Sequence, residues 1–432
     1  MAHERILLLY LRAGGGHIAA ARAIERRIKE SYSAEEAEVT AFDAMPPRSL
    51  FWSTLFQTGY RLVSHRFRSL WVGSMEITRF KPIRSIWNVI MTLLFQRTIA
   101  EAIEKHDATR VVFLHCLLIA PTLYAVKRLG RSPAMITVVL DPFTAPEFWF
   151  MRTGGPVVVF SDRLAKDATD RLRLPASRVH RFPVILKQEY DRPLRRSEVA
   201  GVRKKLGFLP DSRVVLLAGG GEGLPHGERH AEALLASNLE VEIAVVCGKD
   251  EGMRRRIERI ARRYPGRSIH VYGFVDFMFE LMNIADVVVS KGGPATIMEA
   301  LILDKPLIVS QYIYGQEKGN VEFVKQERLG FYIEDSRRIV EHIGALVSDP
   351  SVYEAYRRRI AALALRNGTR EVVEFILGFQ PARKAIAKSP VPVRLRDFVF
   401  LTPEGRPDPV RQLFAFLAAR LGYDAYLRRR KA

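Results

Sequence analysis

The chain has 432 residues, a formal charge of +20 and only two cysteines. This length exceeds what one hydrophobic core usually covers, so we expect two domains. Apolar residues make up 48% of the chain, which excludes a disordered protein. Cys116 and Cys247 lie in apolar runs and predict inert core thiols in a reducing compartment, not a disulfide or a metal cage.

Strands and helices alternate along the first half of the chain. The predicted strands are 6–10, 39–42, 111–115, 135–140 and 157–160, and the first helix runs from about 18 to 31. A second series, after residue 193, has strands at 214–218, 241–247, 269–272, 287–290 and 307–310. Its helices are 228–237, 251–264 and 295–303. This alternation predicts an α/β protein with parallel sheets covered by helices on both faces.

Each series opens with a strand followed by a glycine-rich loop, at 14–16 and at 219–223. Such a loop is typical of Rossmann-like domains, and the pair predicts two of them facing a cleft. We place an acceptor and membrane-facing domain at residues 1–190 and a donor-binding domain at 191–380. Residues 381–432 are predicted to form a linker and a basic C-terminal helix.

Positive charge is concentrated in residues 48–97. From Arg48 to Arg97 there are eight Lys or Arg side chains against one acid, and aromatic residues recur throughout. This mixture favours an anionic membrane surface, where each cation contributes on the order of 1 kcal/mol. A solvated basic face over a helical core and nucleic-acid binding are the alternatives.

The start of the chain does not resemble a signal peptide, and the longest apolar run, 111–126, is too short to cross a bilayer. We therefore expect a peripheral protein on the cytoplasmic face of a membrane, with no nucleic acid as partner.

Residues 290–301 predict a strand end, a glycine turn and a helix start, the geometry that binds phosphate. Glu299 follows about one turn inside the helix, where its carboxylate can accept hydrogen bonds from a ribose diol. Three polar residues on the next loop suit a sugar: Gln316, Glu317 and Asn320. Lys291 and the backbone amides would stabilise a departing diphosphate, because ligand-spaced Asp, Glu and His clusters for a metal are absent from the sequence.

Two further segments complete the predicted donor side. Gly219, Gly220 and Gly221 allow positive φ and close approach of a ligand, with a plain tight turn as the alternative. Phe274 and Val275 follow a strand and offer backbone groups to a uracil edge.

Gly15 and Gly16 precede His17 at the start of the first helix. An imidazolium is disfavoured there, so we expect His17 to be neutral at pH 7 and to act as general base toward an acceptor hydroxyl. Capping the helix or only contacting the acceptor are the alternatives. Asp141, after a strand, is predicted to orient His17 or to be the base itself, or else to cap a turn. His115, at the end of another strand, is predicted to be a core or supporting histidine on the acceptor side, with a role as base as the alternative.

The segments 290–301, 315–320 and 14–17 together resemble glycosyltransferase family 28, in particular the monogalactosyldiacylglycerol synthases and bacterial diacylglycerol glucosyltransferases. The UDP-GlcNAc transferase of lipid II synthesis is more distantly similar. The resemblance covers about residues 7–348 and implies a GT-B fold with inverting, metal-independent transfer and no cofactor besides the UDP-sugar substrate.

The resemblance also implies site residues. Glu299 would bind the ribose, and Gly293, Pro294, Ala295 and Thr296 would form the diphosphate site. Phe274 and Val275 would hold uracil, and the loop 315–320 would read the sugar. The acceptor side departs from the family pattern in three places: residues 11–13, Ala145 before Pro146, and Arg181-Phe182.

From these features we expect transfer of a hexose from a UDP-sugar to diacylglycerol, giving a β-glycolipid. Another lipid alcohol, such as a polyprenyl-linked acceptor, and a UDP-sugar epimerase of the same fold are the alternatives. Galactose and glucose are equally compatible with the sequence.

Overall fold

The computed structural model of the protein describes residues 3–12, 15–45, 73 and 81–380. Most of the basic aromatic segment, residues 48–72 and 74–80, lies outside the described residues. So do Gly14 of the first glycine loop and the predicted linker and helix of 381–432.

The first domain is built on a sheet of six parallel strands. They are β1 (Glu4–Tyr10), β2 (Ala37–Asp43), β3 (Arg110–Phe113), β4 (Ala134–Val138), β5 (Val157–Val159) and β6 (Val179–Arg181), in the order β2-β1-β3-β4-β5-β6. The helices are α1 (Gly15–Ser31), α2 (Lys81–Lys105), α3 (Ile119–Leu129) and α4 (Asp162–Lys166). Residues 6–10 of β1 are all buried, as expected for a parallel strand covered on both faces.

The second domain repeats this design with strands β7 (Arg213–Ala218), β8 (Val241–Val246), β9 (Ile269–Tyr272), β10 (Val287–Lys291), β11 (Leu307–Gln311) and β12 (Gly330–Tyr332). They are parallel and ordered β12-β11-β10-β7-β8-β9. The helices are α5 (Arg196–Leu206), α6 (Gly227–Leu235), α7 (Glu251–Ala261), α8 (Met278–Ile284), α9 (Pro294–Ile302), α10 (Lys318–Gln326), α11 (Ser336–Ser348), α12 (Pro350–Ala362) and α13 (Thr369–Gly378). Two Rossmann-like domains are therefore confirmed.

The last described helix, α13, returns to the first domain and packs on α1. Arg110, which is 2% exposed, fixes it there. Its guanidinium lies 2.8 Å from the Glu4 carboxylate and donates to the carbonyls of Ile376 (3.0 Å) and Phe379 (2.5 Å). Because Arg110 begins β3, the described chain ends at the amino edge of the first sheet.

The carboxyl ends of the two sheets meet where the loop after β4 contacts α10. Phe143 stacks on Phe323 with ring centroids 4.1 Å apart, and Arg163 pairs with Glu322 at 2.9 Å. Only glycine fits at position 319, because a Cβ there would come within 1.8 Å of the Thr144 Oγ1. The cleft thus lies outside the carboxyl ends of the strands, where parallel sheets bind ligands.

The structure corrects some predicted boundaries. The short edge strands β6 and β12 were not predicted, and α1 begins at Gly15, three residues before the predicted start. Strand β4 ends at Val138, so Asp141 lies in the loop that follows it. Within the described part of the chain, none of the helices is both long and apolar enough to span a membrane.

Candidate active site

The turn between β10 and α9 has the geometry of an anion site. No side chain caps α9, and Pro294 occupies its first turn. The Ile297 amide bonds to the Gly293 carbonyl at 3.2 Å, whereas those of Ala295 and Thr296 come before this first helical bond. These two amides and the helix dipole favour a negative group in front of the turn.

The glycine loop of the second domain lies beside this helix start. Gly220 has φ +75°, and a Cβ on Gly219 would come within 2.1 Å of the Gly223 carbonyl oxygen, so both need glycine. A Cβ on Gly220 would lie 3.9 Å from the Thr296 Oγ1, and one on Gly221 would lie 3.9 Å from the Phe274 ring. The loop therefore lies near both the predicted diphosphate and uracil residues.

Phe274 is 67% exposed, and Val275 beside it is half-buried. An exposed aromatic ring beside a glycine loop offers a face on which a flat base can stack.

Glu299 is half-buried on α9 and has no hydrogen-bond partner among the described residues. Burial raises the pKa of its carboxyl to about 7, with Lys187 opposing this shift and Glu189 adding to it. A half-buried carboxylate without a protein partner has acceptor capacity left for a ligand. Glu299 is thus available to a ribose diol.

Two of the predicted sugar contacts already hold the protein together. Glu317 is 5% exposed, accepts from the Ile313 amide at 2.7 Å and pairs with Lys291 at 3.4 Å. Asn320, 3% exposed, donates from Nδ2 to the Gly292 carbonyl at 2.8 Å. Both residues therefore shape the loop in front of α9, whatever contact with a sugar they make.

His17 lies in the first turn of α1, and its Nδ1 donates to the Leu114 carbonyl at 2.7 Å. Burial lowers the pKa of His17 to about 4, so the ring is neutral at pH 7. In a neutral imidazole with a proton on Nδ1, the Nε2 atom is the free acceptor. The Leu114 carbonyl thus orients the ring, a role that the sequence suggested for Asp141.

His115 packs against His17, with ring centroids 4.6 Å apart. It is 8% exposed, and its Nδ1 accepts from the Leu117 amide at 3.3 Å, which caps a short turn. Burial and the neighbouring His17 lower the pKa of His115 well below its ordinary value. Two adjacent neutral rings avoid the cost of two buried positive charges.

Asp141 joins the two domains. It is 9% exposed and accepts from the Trp149 Nε1 at 2.9 Å and from the Gln316 side chain of the second domain. Burial raises the pKa of Asp141 to about 6, which the two hydrogen bonds oppose. Gln316, predicted to read a sugar, thus connects the donor loop to the acceptor side.

Gly15 and Gly16 are exposed, and a Cβ at either position would meet nothing within 4 Å. Packing within the chain therefore does not require glycine there. Helix α1 contacts the turn Gly220–Glu222 and therefore lies beside the donor loop. No group of three or more His, Cys, Asp or Glu side chains suited to a metal ion occurs in the described ranges.

Residues 224–366, which include α9 and the loop before α10, match the glycosyltransferase family 28 C-terminal domain. The second domain is thus similar to family 28 glycosyltransferases over these residues. The resemblance inferred from the motifs is confirmed, and the matched residues include most of the second sheet.

The chain is homologous to plant glycolipid enzymes. It is 28% identical over 350 residues to monogalactosyldiacylglycerol synthase of Spinacia oleracea, covering 79% of this chain and 65% of that protein. Synthase 1 of Arabidopsis thaliana is 26% identical over 346 residues, with coverage of 78% and 63%. The chain thus spans just under two thirds of the length of these relatives.

Solved structures confirm the GT-B fold. MurG of Acinetobacter baumannii has a TM-score of 0.57 at 13% identity, covering 88% of this chain and 100% of that one. Anabaena HepE, solved with UDP-glucose, has a TM-score of 0.53 at 15% identity, covering 86% and 98%.

Sequence reasoning missed three contributors to this site. Trp149 holds Asp141 from eight residues away, and the Leu114 carbonyl holds His17 from 97 residues away. Lys187 faces Glu299 from the connection between the domains. The buried aromatic run 148–150 was a visible signal for Trp149, whereas a backbone carbonyl leaves none.

Proposed function

We propose that the protein is an inverting, metal-independent hexosyltransferase that moves a hexose from a UDP-sugar to diacylglycerol. The observation that carries this proposal is the neutral His17 ring, whose Nδ1 is held by the Leu114 carbonyl, on the helix that contacts the glycine turn of the second domain. Homology to the monogalactosyldiacylglycerol synthases supports a glycolipid product and diacylglycerol as acceptor.

On the acceptor side, His17 takes the proton of the lipid hydroxyl as the oxygen attacks the anomeric carbon. A pKa of about 4 keeps the ring neutral but makes it a weak base. The negative charge of the bound donor raises that pKa, because a nearby anion favours the imidazolium. Donor binding therefore activates His17, which ties proton removal to an occupied donor site.

On the donor side, UDP leaves from the face opposite the attacking hydroxyl, which inverts the anomeric centre. The amides of Ala295 and Thr296 and the dipole of α9 stabilise the diphosphate charge. Lys291, whose ammonium lies beside Gly293, adds a positive charge. Glu299 accepts from the ribose, and Phe274 stacks on the uracil.

In this proposal the enzyme works as a peripheral protein on the cytoplasmic face of a membrane. The basic aromatic segment from Arg48 to Arg97 attaches it to anionic lipid and brings the acceptor to the cleft. The half-exposed Trp87 and Leu93 on α2 belong to this segment.

In the direct test, purified protein is incubated with vesicles that contain anionic lipid and diacylglycerol. UDP-galactose, UDP-glucose and UDP-GlcNAc are added in separate reactions. Mass spectrometry of the lipids should show a hexosyl diacylglycerol and name the donor. UDP release without this product would refute diacylglycerol and favour another lipid alcohol, and an interconverted UDP-sugar would favour an epimerase.

His17→Ala should lower turnover by about 10²-fold or more while calorimetric UDP affinity stays unchanged, because a general base contributes on that scale. His106→Ala, at a half-buried histidine just after α2, is the matched control and should keep full turnover. Near-normal activity of His17→Ala would remove this residue from the mechanism.

A further inference from the structure

A second cavity, of about 340 Å³, opens at the edge strand β12 of the second domain. It lies between the end of α10, the start of α11 and the face of α12, and none of the candidate active-site residues lines it. The cavity is therefore separate from the donor cleft.

Four cations from different elements converge on this cavity: Lys325, Arg328, Arg338 and Arg359. The described residues that line it include no carboxylate, and these four side chains form no ion pair with any described residue. The nearby Glu334 is bonded to the Tyr332 hydroxyl. Such a cluster repels itself, and a bound anion would relieve that repulsion.

Local structure explains only part of this cluster. Arg328 has φ +53°, a left-handed conformation that disfavours a long side chain and costs about 1 kcal/mol or more. Arg338 lies in the first turn of α11, where the helix dipole opposes a positive charge, although the capping Asp335 carboxylate accepts from the Arg338 amide at 2.9 Å. The dipole of α10 favours the positive charge of Lys325, which lies in the last turn of that helix. Arg338 lies on another helix and gains nothing from this dipole.

Arg359 adds an unsatisfied donor. Its Nε is buried and has no hydrogen-bond partner among the described residues. The guanidinium stacks on the Tyr356 ring, 4.4 Å from its centroid. Stacking fixes the plane of a guanidinium and leaves its N–H edge directed at a ligand, an arrangement suited to phosphate.

We propose that this cavity is a binding site for a phosphate group of two or more negative charges. Arg328, Arg338 and Arg359 hold the oxygens, and Lys325 supplies charge at the rim. The group is either a free phosphate or the headgroup of a phosphatidate-type lipid, since both present the same oxygens.

The test titrates pyrophosphate into the full chain by calorimetry, with the wild type compared with Arg328→Gly. Glycine tolerates the left-handed backbone, so this variant should fold at least as well as the wild type. Arg173→Gly is the matched control, because Arg173 is also exposed and has φ +56° but lies in the first domain. All three proteins share the donor cleft, so their difference isolates the cavity.

A tenfold or larger loss of pyrophosphate affinity in Arg328→Gly, with Arg173→Gly unchanged, would support a free phosphate as ligand. If only binding to vesicles of phosphatidylcholine with phosphatidate is lost selectively, the ligand is the lipid headgroup. Arg338→Ala should reproduce either result. Equal behaviour of Arg328→Gly and Arg173→Gly in both assays would overturn the proposal.

Discussion

Replacement of Glu299 by Gln separates the stability of the fold from binding at the site. The Glu299 carboxyl is half-buried without a hydrogen-bond partner in the described part of the chain, and burial raises its pKa from 4.5 to about 7. Holding this charge in the folded protein is therefore costly above pH 7. Gln has nearly the same shape but no charge, so Glu299→Gln should stabilise the protein there.

The size of the gain follows from the pKa. A carboxyl raised from 4.5 to about 7 would lose about 3 kcal/mol of stability in its charged form if water were excluded. Solvent screening at a half-buried position reduces this to about 1–2 kcal/mol. Because the folded-state pKa is the higher one, wild-type stability falls as pH rises from 4.5 to 7, and the gain from Gln appears in that window.

Urea unfolding at pH 5 and at pH 8 measures this effect. Glu299→Gln should raise the midpoint at pH 8 and change it little at pH 5, where the folded carboxyl is protonated. Glu341→Gln, at an exposed position on α11, should change neither. An unchanged urea midpoint at pH 8 would refute the claim that the Glu299 charge destabilises the fold. Unchanged UDP affinity of Glu299→Gln by calorimetry would refute the role of Glu299 in binding the ribose.

Two further substitutions test how the domains are held. Gly319→Ala places a Cβ 1.8 Å from the Thr144 hydroxyl, so the closed arrangement of the two domains should be destabilised by about 1–3 kcal/mol. This loss should appear as a severalfold or larger rise in the KM for the donor. Gly201→Ala, where a Cβ meets nothing within 4 Å, should leave the KM unchanged. Arg110→Ala should lower the free energy of unfolding by about 3 kcal/mol, since it breaks a buried ion pair. Arg131→Ala removes an exposed ion pair, in which the Arg131 side chain is 39% exposed, and should lower the free energy of unfolding by less than about 1 kcal/mol.

The second domain could be predicted largely from its sequence because its signals are local. The helix start at Pro294 and the carboxylate of Glu299 lie within six residues, and backbone sterics fix their relation. The glycine loop after β7 was likewise visible, because glycine permits its φ of +75° at Gly220. The three-residue edge strands escaped prediction because they are too short to show a period.

The first domain is encoded less locally. Whether His17 can accept a proton depends on the Leu114 carbonyl, and the environment of Asp141 depends on Trp149 and on Gln316 of the other domain. Each of these partners belongs to a different helix, strand or loop from the residue that it holds. The sequence therefore indicated candidate residues, whereas the group that orients each one required the fold.

The placement of Asp141 and Gln316 suggests how the two sites communicate. Their hydrogen bond ties the loop after β4 to the loop before α10, and burial has raised the pKa of Asp141 to about 6. A donor sugar that binds Gln316 would break the hydrogen bond from Gln316 to Asp141 and leave Trp149 as the remaining donor. Because the Gln316 bond lowers the pKa of Asp141, its loss would raise that pKa further. Asp141 would then be largely protonated near pH 7 and could accept no proton, whereas His17, whose pKa starts from about 4, would stay neutral and able to accept one. The two effects favour His17 over Asp141 as the base once the donor is bound, which is why the imidazole and not the carboxylate carries the proposed mechanism.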